Sequence, residues 1–169
     1  MLLEKYNSLK LGWLHDSIFF IVAVVGVFLL FRFVIGFSLV GGDSMVPTLR
    51  DGTFVVYSRM GKNYQPGDVV ALRVPSGDYY IKRVIAVGGD TVDILDGVVY
   101  VNGQALQEDY VRGITQEETG AIIYPYTVRD GNVFVLGDNR PVSMDSRTFG
   151  EVNIRQIKGK IIWAFKTGG

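Results

Sequence analysis

The chain has 169 residues, no cysteine, a single histidine, and 17 basic against 17 acidic residues. This excludes a disulfide framework, a thiol nucleophile and a zinc–cysteine centre. A zero net charge also gives nucleic acid no electrostatic reason to be the partner. The length suits one ordinary domain with a short appendage.

A tail over residues 1–12 leads into the most apolar stretch of the chain. From Ile18 to Phe31, "IFFIVAVVGVFLLF", every residue is apolar or glycine. That run is short for a span on its own. Trp13 and Leu14 lengthen it on one side, and "FVIGFSLV" after Arg32 on the other. A helix from Trp13 to Phe31 would measure ~28 Å at ~1.5 Å per residue, close to the ~30 Å hydrocarbon core of a bilayer. Trp13 suits the aromatic belt, and Arg32 can snorkel to the far interface. The run is apolar on all faces, unlike a half-buried core helix. "FSLVGGD" places bulky residues where a cleavable leader needs small ones. Residues 13–32 are therefore expected to be a membrane anchor. Lys5 and Lys10 precede it while Arg32 and Arg50 follow it, so the positive-inside count leaves its orientation open.

Beyond the anchor the texture becomes β-rich. Short runs, "TFVVYSR", "GDVVALRV", "YYIKRVIAV", "TVDIL", "VVYVNG", "NVFVLGD" and "KGKIIWAF", are separated by glycine signals. Asp96-Gly97 and Asn102-Gly103 predict tight hairpin turns. No long 3.6-residue apolar stripe follows residue 40. A mainly antiparallel β domain is expected over residues 33–169. Its polar stretch 105–130 reads as a surface insertion.

Three stretches carry candidate chemistry. In "GGDSMVPTL", residues 41–49, Ser44 is either a turn residue or a nucleophile that needs a base. His15 lies before the anchor and Ser44 after it, so a spanning helix separates them and excludes a Ser-His-Asp triad. Lysine is the remaining base, and it must be desolvated to be neutral. Of the five lysines after the anchor, only Lys82 is embedded in an apolar strand. By alternation it shares a face with Tyr80, Val84 and Ala86. Pairing with a carboxylate at a sheet edge is an equally open reading of Lys82. The third stretch is "GDNRPVSMDSR", residues 137–147. Asp145 and Arg147 can form a charge-assisted pair there, and Ser143 can orient an amine. The same stretch also reads as a polar turn with Asn and Asp caps.

Together these stretches resemble the type I signal peptidases, membrane-bound serine proteases that remove signal peptides from exported proteins. "GDSMVPTL" is similar to the family's nucleophile box, "YYIKRVIAVGGD" to its lysine box and "GDNRPVSMDSR" to its last box, in family order after one N-terminal span. Gly89 replaces a common proline in the second box, and Pro141-Val142 a polar pair in the third. The resemblance implies an antiparallel β-sheet protease core with one N-terminal transmembrane helix. It implies Ser44 as nucleophile, Lys82 as general base and Ser143 as the residue orienting the lysine. Asp145 and Arg147 become a bracing ion pair, with Asp138 and Arg140 in support. Met45, Val40, Leu49, Tyr80 and Ile81 would shape two shallow apolar pockets that accept small-x-small sequences. Gly42 carries no hydroxyl for the oxyanion, which leaves the Ser44 N–H and backbone or water donors. This resembles Gram-positive members. The implied partners are signal-peptide-bearing preproteins, the lipid bilayer and the secretion translocon, with no metal or organic cofactor. The implied location is the cell membrane, single-pass, with the catalytic domain on the extracytoplasmic side. Alternatives are a peptidase dedicated to one pilin or conjugation substrate, and a non-catalytic membrane-tethered β assembly module. Self-cleaving repressors with a similar Ser-Lys core carry no membrane span.

Overall fold

A computed structural model describes residues 2–74, 77–118 and 122–165. The chain divides into two compact units, Met1–Ile35 and Gly36–Gly169.

The first unit is helical. Helix α1 runs Leu2–Leu29, and a π-helical turn follows over Leu30–Val34. Within them His15–Val34 is a 20-residue stretch of mean hydropathy 2.7, none of it buried. It is long and apolar enough to cross a bilayer. From Ile18 to Phe31 the side chains are exposed on every face. No polar stripe marks a side for water.

Eleven strands follow among the described residues, the first starting at Ile35 and the rest lying in the second unit. They are β1 (Ile35–Leu39), β2 (Phe54–Ser58), β3 (Val69–Arg73), β4 (Tyr79–Val87), β5 (Thr91–Leu95), β6 (Val98–Val101), β7 (Gln104–Ala105), β8 (Tyr126–Thr127), β9 (Asn132–Leu136), β10 (Val152–Asn153) and β11 (Ile157–Phe165). Seven form one sheet in the order β1-β2-β11-β3-β4-β9-β10, and four form a second, β7-β6-β5-β8. The paired strands are antiparallel, as expected of the β-rich texture. The hairpin turns expected at Asp96-Gly97 and Asn102-Gly103 link β5 to β6 and β6 to β7. Asp96 and Asn102 take φ of 50° and 53°, and the glycines 83° and 78°. Two successive positive φ values define the type I′ turn that suits strand twist.

Strand β4 organises the interior. Tyr79–Arg83 pair with β3, whereas β9 begins to pair only at Arg83. Among the described residues, the second edge of Tyr79–Lys82 therefore carries no strand. The ladder with β9 shifts register between Val84 and Ala86. Val84 joins a core cluster with Val70, Leu72 and Val135, while Ile85 and Ala86 join another with Val92, Phe134 and Leu136. Ala86 thus leaves the face that alternation predicts for it. The inserted residue resets the two-residue period beyond Val84.

The polar stretch 105–130 is exposed along much of its length, yet it also packs inward. Thr115 and Val128 are buried. Leu106, Ile122, Tyr124 and Tyr126 lie against the Phe134 cluster.

Candidate active site

The turn around Ser44 is held from below by its apolar residues. Val40, Met45 and Leu49 are buried with Val55, and Val69, Ile81 and Ile161 pack against them. The Val46 N–H donates to the Asp43 carbonyl at 3.1 Å and the Leu49 N–H to the Met45 carbonyl at 2.8 Å. Gly42 has φ +81°, a conformation that a Cβ penalises. Its N–H donates to Asp51 Oδ1 at 2.8 Å. The segment after β9 closes the turn from the other side. The Asn139 N–H donates to the Ser44 carbonyl at 3.0 Å, and Asn139 Nδ2 to the Asp43 carbonyl at 3.0 Å. Ser44 is left half-buried. Its own N–H has no acceptor among the described residues.

Strand β4 brings Lys82 to this hydroxyl. Lys82 Nζ donates to Ser44 Oγ at 2.7 Å, and the lysine is 1% exposed. Among the described residues no carboxylate lies within ion-pair distance of Nζ. The reading of Lys82 as an edge-strand partner for a carboxylate therefore does not describe this geometry. Burial lowers its pKa from 10.5 to about 8; Asp145 opposes that shift, Arg147 adds to it, and Asp138 opposes it. The direction follows from the cost of placing an ammonium in a low-dielectric interior. At pH 7 a pKa near 8 leaves roughly a tenth of the amines neutral, against fewer than one in a thousand at the free-lysine value. A neutral amine bonded to a hydroxyl can take its proton during nucleophilic attack.

Behind the pair lies a network of buried ions. Arg147 grips Asp145 through Nε–Oδ1 and Nη2–Oδ2, both at 2.9 Å. Asp145 Oδ2 also accepts the Gly137 N–H at 3.0 Å. Arg147 Nη2 continues to the carbonyls of Arg140, at 2.8 Å, and Ser143. Asp138 accepts from Arg83 Nε at 2.9 Å and Nη2 at 2.7 Å, and from Thr48 Oγ1 at 2.5 Å. Arg140 donates to the Gly137 carbonyl at 2.9 Å, to both Glu108 oxygens at 3.1 and 2.5 Å, and to Thr115. Tyr110 OH donates to Glu108 at 2.9 Å, and the Tyr110 ring lies 3.9 Å from the Arg83 guanidinium carbon. Three arginines and three carboxylates are thus satisfied in one block behind the lysine, as burial of charge requires.

Ser143 is buried, but among the described residues its Oγ has no hydrogen-bond partner and is not bonded to Lys82. It lies against Gly137. A Cβ on that glycine would stand 2.6 Å from both Ser143 Cβ and the Ser44 carbonyl oxygen. Only glycine lets the last segment approach the nucleophile turn so closely.

A cleft of about 440 Å³ opens on Ser44. Val40, Met45, Tyr80 and Ile81 line it, whereas Leu49 packs beneath in the Met45 cluster and does not. The sheet curls so that β1, through Phe37–Leu39, and the strand-free edge of β4, through Tyr79–Ile81, face the same space. Tyr57, Ala71 and Lys158 come from the strands between them. Nothing in the sequence singles out these residues, nor Arg83, Glu108, Tyr110 and Thr48 of the ionic network, except that Arg83 follows Lys82 directly.

The family model described as signal peptidase, peptidase S26, matches residues 12–165. A probable signal peptidase I-1 of Synechocystis is 36% identical, with 85% of this chain and 78% of that protein aligned. Signal peptidase I of Bacillus caldolyticus is 35% identical over 86% of this chain and 88% of its own length. A crystal structure of a signal peptidase I from Enterococcus faecalis superposes with a TM-score of 0.50 at 36% identity, covering 58% of this chain and 96% of that one.

Proposed function

Because the chain belongs to the signal peptidase family, peptidase S26, we propose that it removes signal peptides from exported preproteins by Ser-Lys acyl transfer. The observation that carries the chemistry is the 2.7 Å contact between Lys82 Nζ and Ser44 Oγ at a buried amine. Ser44 Oγ attacks the scissile carbonyl carbon as neutral Lys82 takes its proton. The tetrahedral oxyanion is held by the unengaged Ser44 N–H. The Lys82 ammonium then gives that proton to the departing amide nitrogen, the C–N bond breaks, and an acyl-enzyme remains. Lys82 next takes a proton from water as its oxygen attacks the ester. The acid product leaves and Ser44 recovers its proton. Ser143, with its unpartnered hydroxyl beside Gly137, steadies the amine when substrate binds. The Asp145–Arg147 pair holds the segment that carries it.

The substrate enters as an added strand. An extended peptide along the open edge of Tyr79–Ile81 gains main-chain hydrogen bonds, and alternate side chains drop into the cleft. The floor at Met45 and Ile81 leaves room for small side chains, which favours cleavage after small-x-small. Helix α1 anchors the chain once in the cell membrane, with the catalytic unit on the extracytoplasmic side near the translocon. Enzyme and membrane-tethered substrate then meet at raised effective concentration.

The test uses the full chain in detergent and a preprotein with an Ala-x-Ala site. Mass spectrometry is expected to find one new N-terminus directly after that site, which disappears when the final Ala is changed to a bulky residue. Cleavage elsewhere, or indifference to that change, would contradict the assignment.

A further inference from the structure

A second concave surface, of about 600 Å³, lies beside the nucleophile turn. We infer that it receives the first residues of the mature chain beyond the scissile bond, and that Arg112 makes it prefer an acidic residue there. This rests on the peptidase reading above and extends it to the leaving-group side.

Position comes first. The surface is lined by Asp43, Arg112, Gly113, Asn139, Pro141 and Val142. The cleft described above takes Gly41, Ser44 and Met45 from the same turn, and the two concavities share no lining residue. Asp43 and Ser44 are consecutive, so the two surfaces meet at the reacting serine. A peptide that fills the cleft with its acyl portion continues past Ser44 onto the second surface.

The surface is firmly attached to the site. Asn139 is bonded through its N–H to the Ser44 carbonyl and through its side chain to the Asp43 carbonyl, both at 3.0 Å. Arg112 forms a parallel bridge with Asn139: its N–H donates to the Asp138 carbonyl at 2.8 Å, and its carbonyl accepts the Arg140 N–H at 3.0 Å. Two strand spacings of ~4.8 Å thus separate the Arg112 backbone from that of Ser44. About three residues of extended peptide cover that distance at ~3.3 Å each. Gly113 sits at φ +81°, and a Cβ there would stand 2.5 Å from Pro141 Cγ. Glycine therefore lets the Arg112 wall close onto the Pro141–Val142 wall. Val142, 62% exposed, offers apolar surface.

The charges set the preference. Arg83, Arg140 and Arg147 are committed to carboxylates. The exposed Arg112 guanidinium has no hydrogen-bond or ion-pair partner among the described residues, and the exposed Asp43 carboxylate likewise has none. Asp43 marks the end next to the scissile bond, where an acidic side chain is repelled. Arg112 marks the far end, where the second to fourth mature residues arrive and an acidic side chain is attracted.

The experiment compares preprotein substrates that differ only by Asp or Lys at each of the first four mature positions, cut by the detergent-solubilised full chain. Competing both substrates in one tube gives a ratio of kcat/KM values that is independent of how much enzyme is folded. The expected result is about a threefold preference for Asp at one or more of positions two to four. It inverts in Arg112→Glu, flattens in Arg112→Gln, and collapses toward unity in 1 M salt, where the Debye length is ~3 Å. A profile unchanged by Arg112→Glu overturns the subsite. So does a ratio near unity at all four positions. Under either result, Ser44-dependent cleavage at the expected bond would leave the peptidase reading standing. Cleavage that persists in Ser44→Ala, or no cleavage of any substrate, overturns both.

Discussion

Lys82→Arg is expected to abolish processing, with kcat/KM falling by about 10³-fold or more, the range set by loss of a general base. Arginine keeps the positive charge and much of the length, so a structural or simply cationic role for position 82 would survive the change. A base would not, since a guanidinium stays protonated at any working pH. The site magnifies that distinction. Lys82 is 1% exposed and donates to Ser44 Oγ at 2.7 Å, in surroundings that already disfavour its charged form. Ser44→Ala is expected to match it. The double variant should be no worse than either single, because serine and lysine act as one unit. Single-turnover cleavage of a labelled preprotein reads all three. A Lys82→Arg variant retaining a tenth of parent activity would remove Lys82 from the proton path.

The second large effect is on stability. Asp145 is fully buried, holds Arg147 through two 2.9 Å contacts and accepts the Gly137 N–H. Asp145→Ala leaves the buried Arg147 guanidinium with only the more exposed Glu118, 4.0 Å away, as an anion, and breaking a buried pair from one side costs about 3–5 kcal/mol. It also removes the cap of α2 (Ser146–Phe149), whose Arg147 N–H donates to Asp145 at 3.2 Å. The unfolding midpoint in urea should drop accordingly. Activity carries a second signature. Asp145 is the foremost influence holding the Lys82 pKa up, and Arg147 pushes it down. Removing the carboxylate while keeping the arginine lowers that pKa further. The folded fraction of the variant should therefore reach its plateau at lower pH than the parent. A variant of parental stability would show that the ion pair is not needed to hold the segment.

Much of this was legible in the chain because it is written locally. "YYIKRVIAV" and "TVDIL" coincide with β4 and β5. Asp96-Gly97 and Asn102-Gly103 specify their turns through backbone conformations that few other pairs tolerate. The desolvation of Lys82 followed from a lysine set in an otherwise apolar strand beside Arg83. What stayed hidden depends on pairings distant in sequence. The shift between Val84 and Ala86 is decided by β9, some fifty residues on, so alternation placed Ala86 on the wrong face. Glu108 looked like one more surface carboxylate, because nothing nearby reveals that Arg140, 32 residues later, folds onto it. The cleft walls at Phe37 and Lys158 exist only because the sheet curls β1 and β11 toward β4. The third box implies that Ser143 orients the lysine, yet among the described residues its hydroxyl has no hydrogen-bond partner.

The most direct test is the pH dependence of kcat/KM, measured with the full chain in detergent on a preprotein whose own ionisations lie outside the range. The active form is the deprotonated amine, so activity must rise with pH. It should climb tenfold per unit at low pH and level off above a midpoint of about 8, the lowered value of Lys82. A midpoint near the free-lysine value of ~10.4, or a rate that falls as the amine deprotonates, would contradict a buried, neutral Lys82 as the base for Ser44.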